Sequence, residues 1–427
     1  MQKGALPGFR DFYPEELARR AHIFAVWRQV ATRYGFEEYD GPPLETLELY
    51  TAKSGDEIVA QLYNFTDKGD RAVALRPEMT PTLARMVAAR ANGLKKPIRW
   101  FSLPQLFRYE RQQRGRLREH FQLNCDLIGE AGPLADAEII ALAIDVMRGF
   151  GLTEKDVRVR LSDRRVIQIL FRQYGIGPEL DEQVFRILDR FEKLKREELV
   201  KQLESILNPT QIDQVVAIPA IVGPEGLQRA LGSTLTKSVA VGPLFKVVES
   251  LNEMGLGEFV DLDFTVVRGL AYYTGTVFEL FDTGRTLRAI CGGGRYDDLT
   301  NAVGGVPLPA VGFGMGDVVL GELLKEKGKL PAYAGSIDVF VAAEEQGMAA
   351  ALQLTHQLRD AGIRAEFALG GQTLSKQQDI AKARNARVLV TLGTAEAQVR
   401  DLVARTQVPV AMTQVVEKVR AMLGAGH

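Results

Sequence analysis

The sequence predicts an α+β protein of two units, a large one built on an antiparallel sheet interrupted by a helical insertion, and a small C-terminal α/β one. Three observations carry this. Residues 119–129 alternate, with Phe121, Leu123, Cys125 and Leu127 on one face and Gln122, Asn124 and Asp126 on the other, the period of two that marks a strand. From about Gly175 to Gly255 the chain carries helical charge patterns such as Asp189-Arg-Phe-Glu-Lys-Leu-Lys-Arg-Glu-Glu and few strand signals. The breaker-rich stretch Lys327-Gly-Lys-Leu-Pro-Ala-Tyr-Ala-Gly335 then divides the chain, giving expected units of 1–330 and 335–427.

Taken in order, Pro14-Glu-Glu opens a helix with Leu17, Phe24, Trp27, Val30 and Ala31 on one apolar face, and Gly35 ends it. Asn64-Phe-Thr and Arg71 to Arg76 flank Asp67-Lys-Gly-Asp as a hairpin. Thr80-Pro81 reads as a helix cap followed by a first-turn proline. A strand from Arg99 to Tyr109 is interrupted by Pro104, a polar loop covers Arg111 to Arg118, and a helix follows from Pro133 to Phe150. After the insertion, strands are expected at Asp261 to Arg268, Gly275 to Phe281 and Thr286 to Cys291, and Cys291-Gly-Gly-Gly-Arg-Tyr-Asp297 reads as a sharp turn. Ala310-Val-Gly-Phe-Gly-Met-Gly leads as a strand into an amphipathic helix. In the last unit Ile337-Asp-Val-Phe-Val, Arg364-Ala-Glu-Phe and Arg387-Val-Leu-Val alternate with helices, the pattern of a small α/β sandwich.

With 53 Lys plus Arg against 54 Asp plus Glu in 427 residues, no global charge advertises a polyanion partner, so any such partner is met locally. Two cysteines, Cys125 and Cys291, suit a reducing, cytoplasmic setting and make neither a disulfide framework nor a zinc site. Nearly apolar stretches such as Val215 to Val222 fall short of the roughly 18 residues of a membrane span, so neither secretion nor membrane insertion is expected.

No GxxxxGK[ST] or GxGxxG phosphate cradle occurs. The strongest local signal is Phe107 to Arg118, where Arg108, Arg111, Arg114, Arg116 and Arg118 stand against Glu110 for a net +4. Guanidinium forks suit phosphate, although charge alone equally allows a solvated loop. The next strand offers Gln122 and Asp126 on one face, either as a solvent face or as the floor of a ligand site. Val267-Arg-Gly-Leu-Ala-Tyr-Tyr-Thr-Gly275 adds Arg268 beside Tyr272 and Tyr273.

Together these segments resemble the histidyl-tRNA synthetases, class II aminoacyl-tRNA synthetases, over nearly the whole chain. Gly8-Phe-Arg-Asp-Phe-Tyr-Pro14 is similar to the family's N-terminal signature, and the first helix with Pro42 resembles class II motif 1, a dimer interface in the family. Leu106-Phe-Arg-Tyr-Glu to Asp126 resembles motif 2, while Arg76-Pro-Glu-Met-Thr80 and Arg268-Gly-Leu-Ala-Tyr-Tyr273 resemble two histidine-site motifs. The resemblance implies a class II antiparallel sheet, a C-terminal anticodon-binding domain and a cytoplasmic homodimer that charges tRNA(His) with L-histidine and ATP, magnesium accompanying the ATP. It implies that Arg108 and Arg268 are catalytic, with Arg108 on ATP. It places Glu78, Thr80, Gln122, Asp126, Tyr272 and Tyr273 on histidine, and Arg111 and Gln113 on the tRNA. No residue is expected to ligate a metal directly.

Motif 3 departs from the family. Its helix begins Gly312-Phe-Gly-Met-Gly-Asp-Val-Val-Leu320 without the arginine that normally grips the ATP γ-phosphate, so Arg116 or Arg114 is expected to replace it. Ala271 stands where many members have Asp. The alternative function is a non-catalytic, synthetase-like regulatory paralogue of histidine biosynthesis. Such paralogues lack the C-terminal unit, where this chain carries a +3 window of Lys376, Lys382, Arg384 and Arg387 less Asp379.

Overall fold

The computed structural model describes residues 3–51, 60–109, 115, 117–191, 194–232, 241–268, 272–333, 335, 337–393 and 395–424. They divide into two compact units, Met1–Pro331 and Ala332–His427. In the first, α1 (Pro14–Arg33) and β1 (Glu37–Glu38) lead to β2 (Leu44–Thr46), α2 (Leu47–Thr51), β3 (Asn64–Thr66), β4 (Ala72–Leu75) and α3 (Thr80–Arg90). There follow β5 (Ile98–Ser102), β6 (Gln105–Phe107), β7 (Glu119–Ile128), α4 (Pro133–Gly149), β8 (Val157–Asp163) and α5 (Arg164–Gln173). The insertion contributes α6 (Asp181–Leu188), α7 (Arg196–Leu203), α8 (Pro209–Ala217), α9 (Gly223–Leu231) and α10 (Val241–Glu253). Last come β9 (Val260–Leu262), β10 (Thr276–Asp282), β11 (Cys291–Arg295), α11 (Leu299–Gly304), β12 (Ala310–Gly316) and α12 (Asp317–Glu326).

The main sheet runs β1-β5-β7-β12-β11-β10-β8-β9, with β6 also on β7. Its centre is antiparallel, and only the edge pairs β1–β5 and β8–β9 are parallel. Alternation in β7 sends Leu123, Cys125 and Leu127 into the core beneath the sheet, where they meet Trp27 and Val30 of α1 and the buried face of α4. The hairpin of β3 and β4 forms, with β2 added to make a separate three-stranded sheet.

Several local expectations change. Leu17 is exposed, because the buried stripe of α1 runs through Ile23, Val26, Trp27, Val30 and Ala31 instead. Thr80 is the first residue of α3, not its cap; Met79 holds the cap position and no side chain caps the helix. The strand expected over Asp261 to Arg268 stops at Leu262, and Arg268 turns through a left-handed φ of 59°. Residues 286–290 are not strand, whereas Cys291–Arg295, read as a turn, pairs on both sides as β11. The helical insertion is no separate module: Val184, Phe185, Leu203, Leu244 and Leu251 belong to one apolar cluster with the sheet.

One buried charge ties the sheet to its supporting helix. Arg295, at the end of β11 and 1% exposed, donates to both carboxylate oxygens of Asp136 in the first turn of α4, at 2.8 to 3.2 Å. The same guanidinium reaches the carbonyls of Glu130 and Gly132 at 3.1 and 3.2 Å and Asp297 at 3.0 Å. Every donor is used, so the buried cation is compensated by carboxylates and backbone dipoles.

The second unit runs β13 (Val339–Ala342), α13 (Met348–Asp360), β14 (Ala365–Phe367), α14 (Leu374–Ala383), β15 (Val388–Leu392), β16 (Glu396–Asp401), β17 (Thr406–Ala411) and α15 (Val415–Leu423). Its sheet order is β14-β13-β15-β16-β17, with the first three strands parallel and the last two added antiparallel. Val339 and Val341 pack on one face with Leu354, Leu358 and Val419. Phe340 and Ala342 pack on the other with Ala381, so the sheet is covered on both sides, as parallel strands require. Strands β16 and β17 had no sequence expectation, since their residues are mixed polar and apolar.

Removing the Arg295 guanidinium leaves Asp136 buried and unpaired. Arg295→Met is expected to destabilise the first unit by about 3–5 kcal/mol, read by urea unfolding monitored through tryptophan fluorescence.

Candidate active site

A cleft lies over the face of the sheet opposite the core. Its floor depends on missing side chains. Asp126 of β7 pairs with Gly312 of β12, and Asn124 with Gly314. A Cβ on Gly314 would stand 2.7 Å from the Gln122 side chain, and one on Gly312 would overlap the Asp126 carboxylate. The glycines of β12 are therefore spacers that let the polar side chains of β7 lie flat across the sheet.

One end of the cleft gathers Glu78, Thr80, Gln122, Asp126, Tyr272 and Tyr273. Glu78, 4% exposed, sits where β4 hands the chain to α3. Arg76 fixes that crossing by donating to Asp40, to the Gly41 carbonyl and to the Gln105 carbonyl at 2.7 to 3.0 Å. The Tyr272 hydroxyl donates to Glu78 at 3.0 Å, and Tyr273 packs 5.0 Å from the Tyr272 ring. Sequence reasoning missed Tyr296, whose hydroxyl donates to Asp126 and whose ring stands 5.8 Å from Tyr272. The glycine run before it was the available signal, because consecutive glycines in a strand mark close approach from above.

Burial pushes the Asp126 carboxyl up to about 7, the Tyr296 hydrogen bond offsetting only part of the cost. Burial and nearby carboxylates raise Tyr272 and Tyr296 well above their ordinary value, so both remain donors. This end is thus a small polar chamber with two carboxyl groups and three tyrosines, suited to an ammonium group and a ring able both to donate and to accept.

The other end is cationic. Arg108 and Arg268 line both halves of the cleft. Arg108 is steered by its Nε bond to the Pro77 carbonyl at 2.9 Å. Arg268 is held by Glu279 of β10, which raises its pKa against the opposing effect of burial. Its left-handed backbone costs of order 1–3 kcal/mol, a strain that the ion pair helps to hold. Glu279 was also missed, although a lone carboxylate within Thr276-Val-Phe-Glu-Leu-Phe was visible. His120 lines the same end and is held neutral, burial and the charges of Arg108 and Arg10 pushing it down to about 3.

Arg111, Gln113, Arg114 and Arg116 lie outside the described residues, as does Ala271. In the C-terminal window, Arg384 pairs with Glu366, Lys382 with Asp379 at 3.5 Å, and Arg387 donates to the Leu423 carbonyl at 2.9 Å. Most of that local charge is spent inside the unit. The described residues hold no group of three or more His, Cys, Asp or Glu side chains able to take a metal. By themselves they build no magnesium site.

The histidyl-tRNA synthetase family model matches residues 8–316 and the anticodon-binding domain model residues 337–422. Histidine--tRNA ligase of Opitutus terrae is 44% identical, over 97% of this chain and 98% of that protein. The chloroplastic/mitochondrial histidine--tRNA ligase of Arabidopsis thaliana is 40% identical, over 91% and 80%. Among solved structures, histidyl-tRNA synthetase from Nostoc sp. PCC 7120 superposes with a TM-score of 0.82 at 25% identity, over 99% of this chain and 100% of that one. With a family-model match in each of the two units, a Gly-floored cleft and relatives at this identity, the chain belongs to the histidyl-tRNA synthetase family.

Proposed function

We propose that this protein activates L-histidine with ATP to histidyl-adenylate and transfers the histidyl group to tRNA(His). The observation that carries this is the convergence of Glu78, Asp126 and the tyrosines at one end of a cleft with Arg108 and Arg268 at its centre. Glu78 and Gln122 receive the α-ammonium, with Thr80 beside them. Asp126 and Tyr273 read the two imidazole nitrogens, one partner accepting and the other donating, and Tyr272 shapes the wall. An analogue lacking a ring nitrogen leaves a buried polar group unpaired, which is costly.

In the first step a carboxylate oxygen of histidine forms a bond to the α-phosphorus while the bond to pyrophosphate breaks, its electron pair leaving with pyrophosphate. Arg108 and Arg268 bracket the phosphorus and hold the charge that builds there, a positional and electrostatic contribution. In the second step a ribose hydroxyl at the tRNA 3' end attacks the histidyl carbonyl carbon, the acyl–phosphate C–O bond breaks with its electron pair leaving on AMP, and the hydroxyl proton passes to the departing phosphate or to water. Arg111 and Gln113 are assigned to the acceptor end of the tRNA, including an extra 5' guanosine, from their place in motif 2 alone. Magnesium would come with ATP as a counterion to its phosphates, outside any ligand set of the described residues. The C-terminal unit reads the anticodon.

A homodimer in the cytoplasm completes the reading. Leu17, Leu44 and Phe65 are exposed large apolar side chains of the α1 to β3 region, consistent with a face covered by a second copy. No helix of the described residues is long and apolar enough to cross a membrane, and both cysteines are free and buried. The regulatory alternative is not favoured, since the C-terminal unit matches the anticodon-binding model.

Pyrophosphate exchange with each of the twenty amino acids should respond to histidine alone, followed by charging of tRNA(His); silence with every amino acid would restore the regulatory paralogue. Arg268→Ala should slow exchange about 100- to 1000-fold, the loss typical of one transition-state charge donor. Asp126→Asn separates function from stability. Because the folded carboxyl titrates near 7 rather than near 4, the folded state keeps a proton the unfolded chain has lost, and stability falls as pH rises through that window. The variant should lose histidine activation yet melt higher than the parent at pH 8, by up to roughly 4 kcal/mol, with the gap closing toward pH 4.

A further inference from the structure

The cationic end of the cleft extends past Arg108 and Arg268 to a wall that holds no carboxylate among its described residues: Gly115, Leu117, His120, Arg288, Val318 and Val319. An ATP whose α-phosphate lies between Arg108 and Arg268 must send its two remaining phosphates somewhere, and they carry most of its charge. Val318 and Val319, at the start of α12, offer none. His120 is neutral. Arg288 is the remaining cation among the described residues of this wall.

Arg288 is also well placed and well held. A Cβ built on Gly115 would lie 3.4 Å from Val319 Cγ2 and 4.0 Å from Arg288 Cδ. Gly115, in the loop that follows Arg108, therefore has both the Arg288 side chain and the apolar start of α12 as neighbours, and all three line one cavity. Its backbone is pinned on both sides. Asp282 accepts from the Thr286 and Leu287 amides at 3.0 and 3.1 Å, and the Ile290 amide donates to the Leu280 carbonyl at 2.8 Å. Arg288 is delivered from a clamped turn between β10 and β11, so little ordering entropy is lost when it meets an anion. Residues 286–290 fail to form the expected strand because this turn takes their place.

We propose that Arg288 binds the β- and γ-phosphates of ATP, and hence the departing pyrophosphate, supplying from the β10–β11 turn the charge that Val318 and Val319 lack. This rests on the ATP-dependent activation of histidine argued above. It assigns the role to Arg288 in place of Arg116 or Arg114.

The test compares Arg288→Ala, Arg288→Lys and Arg116→Ala in the full-length protein. Calorimetric binding of ATP and of AMP is measured for each, with histidine-dependent pyrophosphate exchange alongside. Arg288→Ala should weaken ATP binding and raise the KM for ATP and pyrophosphate by about 10- to 100-fold, the size of one charge-assisted bidentate contact. AMP binding and the KM for histidine should stay within about twofold, since a charged fork contacts only the phosphates that AMP lacks. Arg288→Lys should recover part of the loss. Equal weakening of ATP and AMP, an unchanged ATP affinity, or an ATP-specific loss in Arg116→Ala alone would each overturn the assignment. Because binding is read without amino acid, a protein that activates no amino acid would sink the proposed function while still reporting on Arg288.

Discussion

The buried Arg295–Asp136 contact is the constraint on which the catalytic unit depends. It joins the end of the glycine strand β11 to the first turn of α4, the helix that closes the underside of the sheet. Asp297, bound to the same guanidinium, also accepts from the Ala310 amide at 3.1 Å, which carries the tie into β12. One ion pair thereby sets the height of the two glycine strands relative to the core. Without that anchor, strands so poor in side chains would have little packing of their own to hold register.

Above that anchor, the cleft works by division of charge along a single face. Carboxyl groups and tyrosine hydroxyls occupy one end and guanidinium groups the other, with the side chains of β7 bridging them. Each charged group is oriented by a partner that is not itself a ligand: Arg76 aligns the segment bearing Glu78, Pro77 steers Arg108, and Glu279 holds Arg268. Geometry of this kind lowers the reorganisation needed when a charged substrate arrives.

Much of this was legible beforehand. The alternation of β7 gave both the core face and the polar floor, because period two is a direct consequence of the pleat. The resemblance motifs located eight side chains that the fold brings to one cavity, Arg108 and Arg268 among them. What stayed hidden depended on contacts distant in sequence. Tyr296 follows residues that read as a turn, and only pairing with β10 and β12 makes a strand of them. Glu279 and Arg288 acquire meaning from Arg268 and Val319, which no local pattern connects. The Thr80 and Leu17 expectations failed for a local reason, a one-residue or one-turn offset that propensity does not resolve.

The sharing of one apolar cluster between the insertion helices and the sheet has a consequence for how the unit comes apart. Leu244 and Leu251 of α10 lie in the same buried network as Leu161 of β8 and Met147 of α4. The segment between α5 and β9 is thus a structural wall rather than an appendage. Deleting it would strip the far side of β8 and α4 of cover, and loosening it would propagate into the strands that carry the cleft. A protease nick or chemical lesion in these helices would register as lost cooperativity in the whole catalytic unit, not as a trimmed but otherwise intact enzyme.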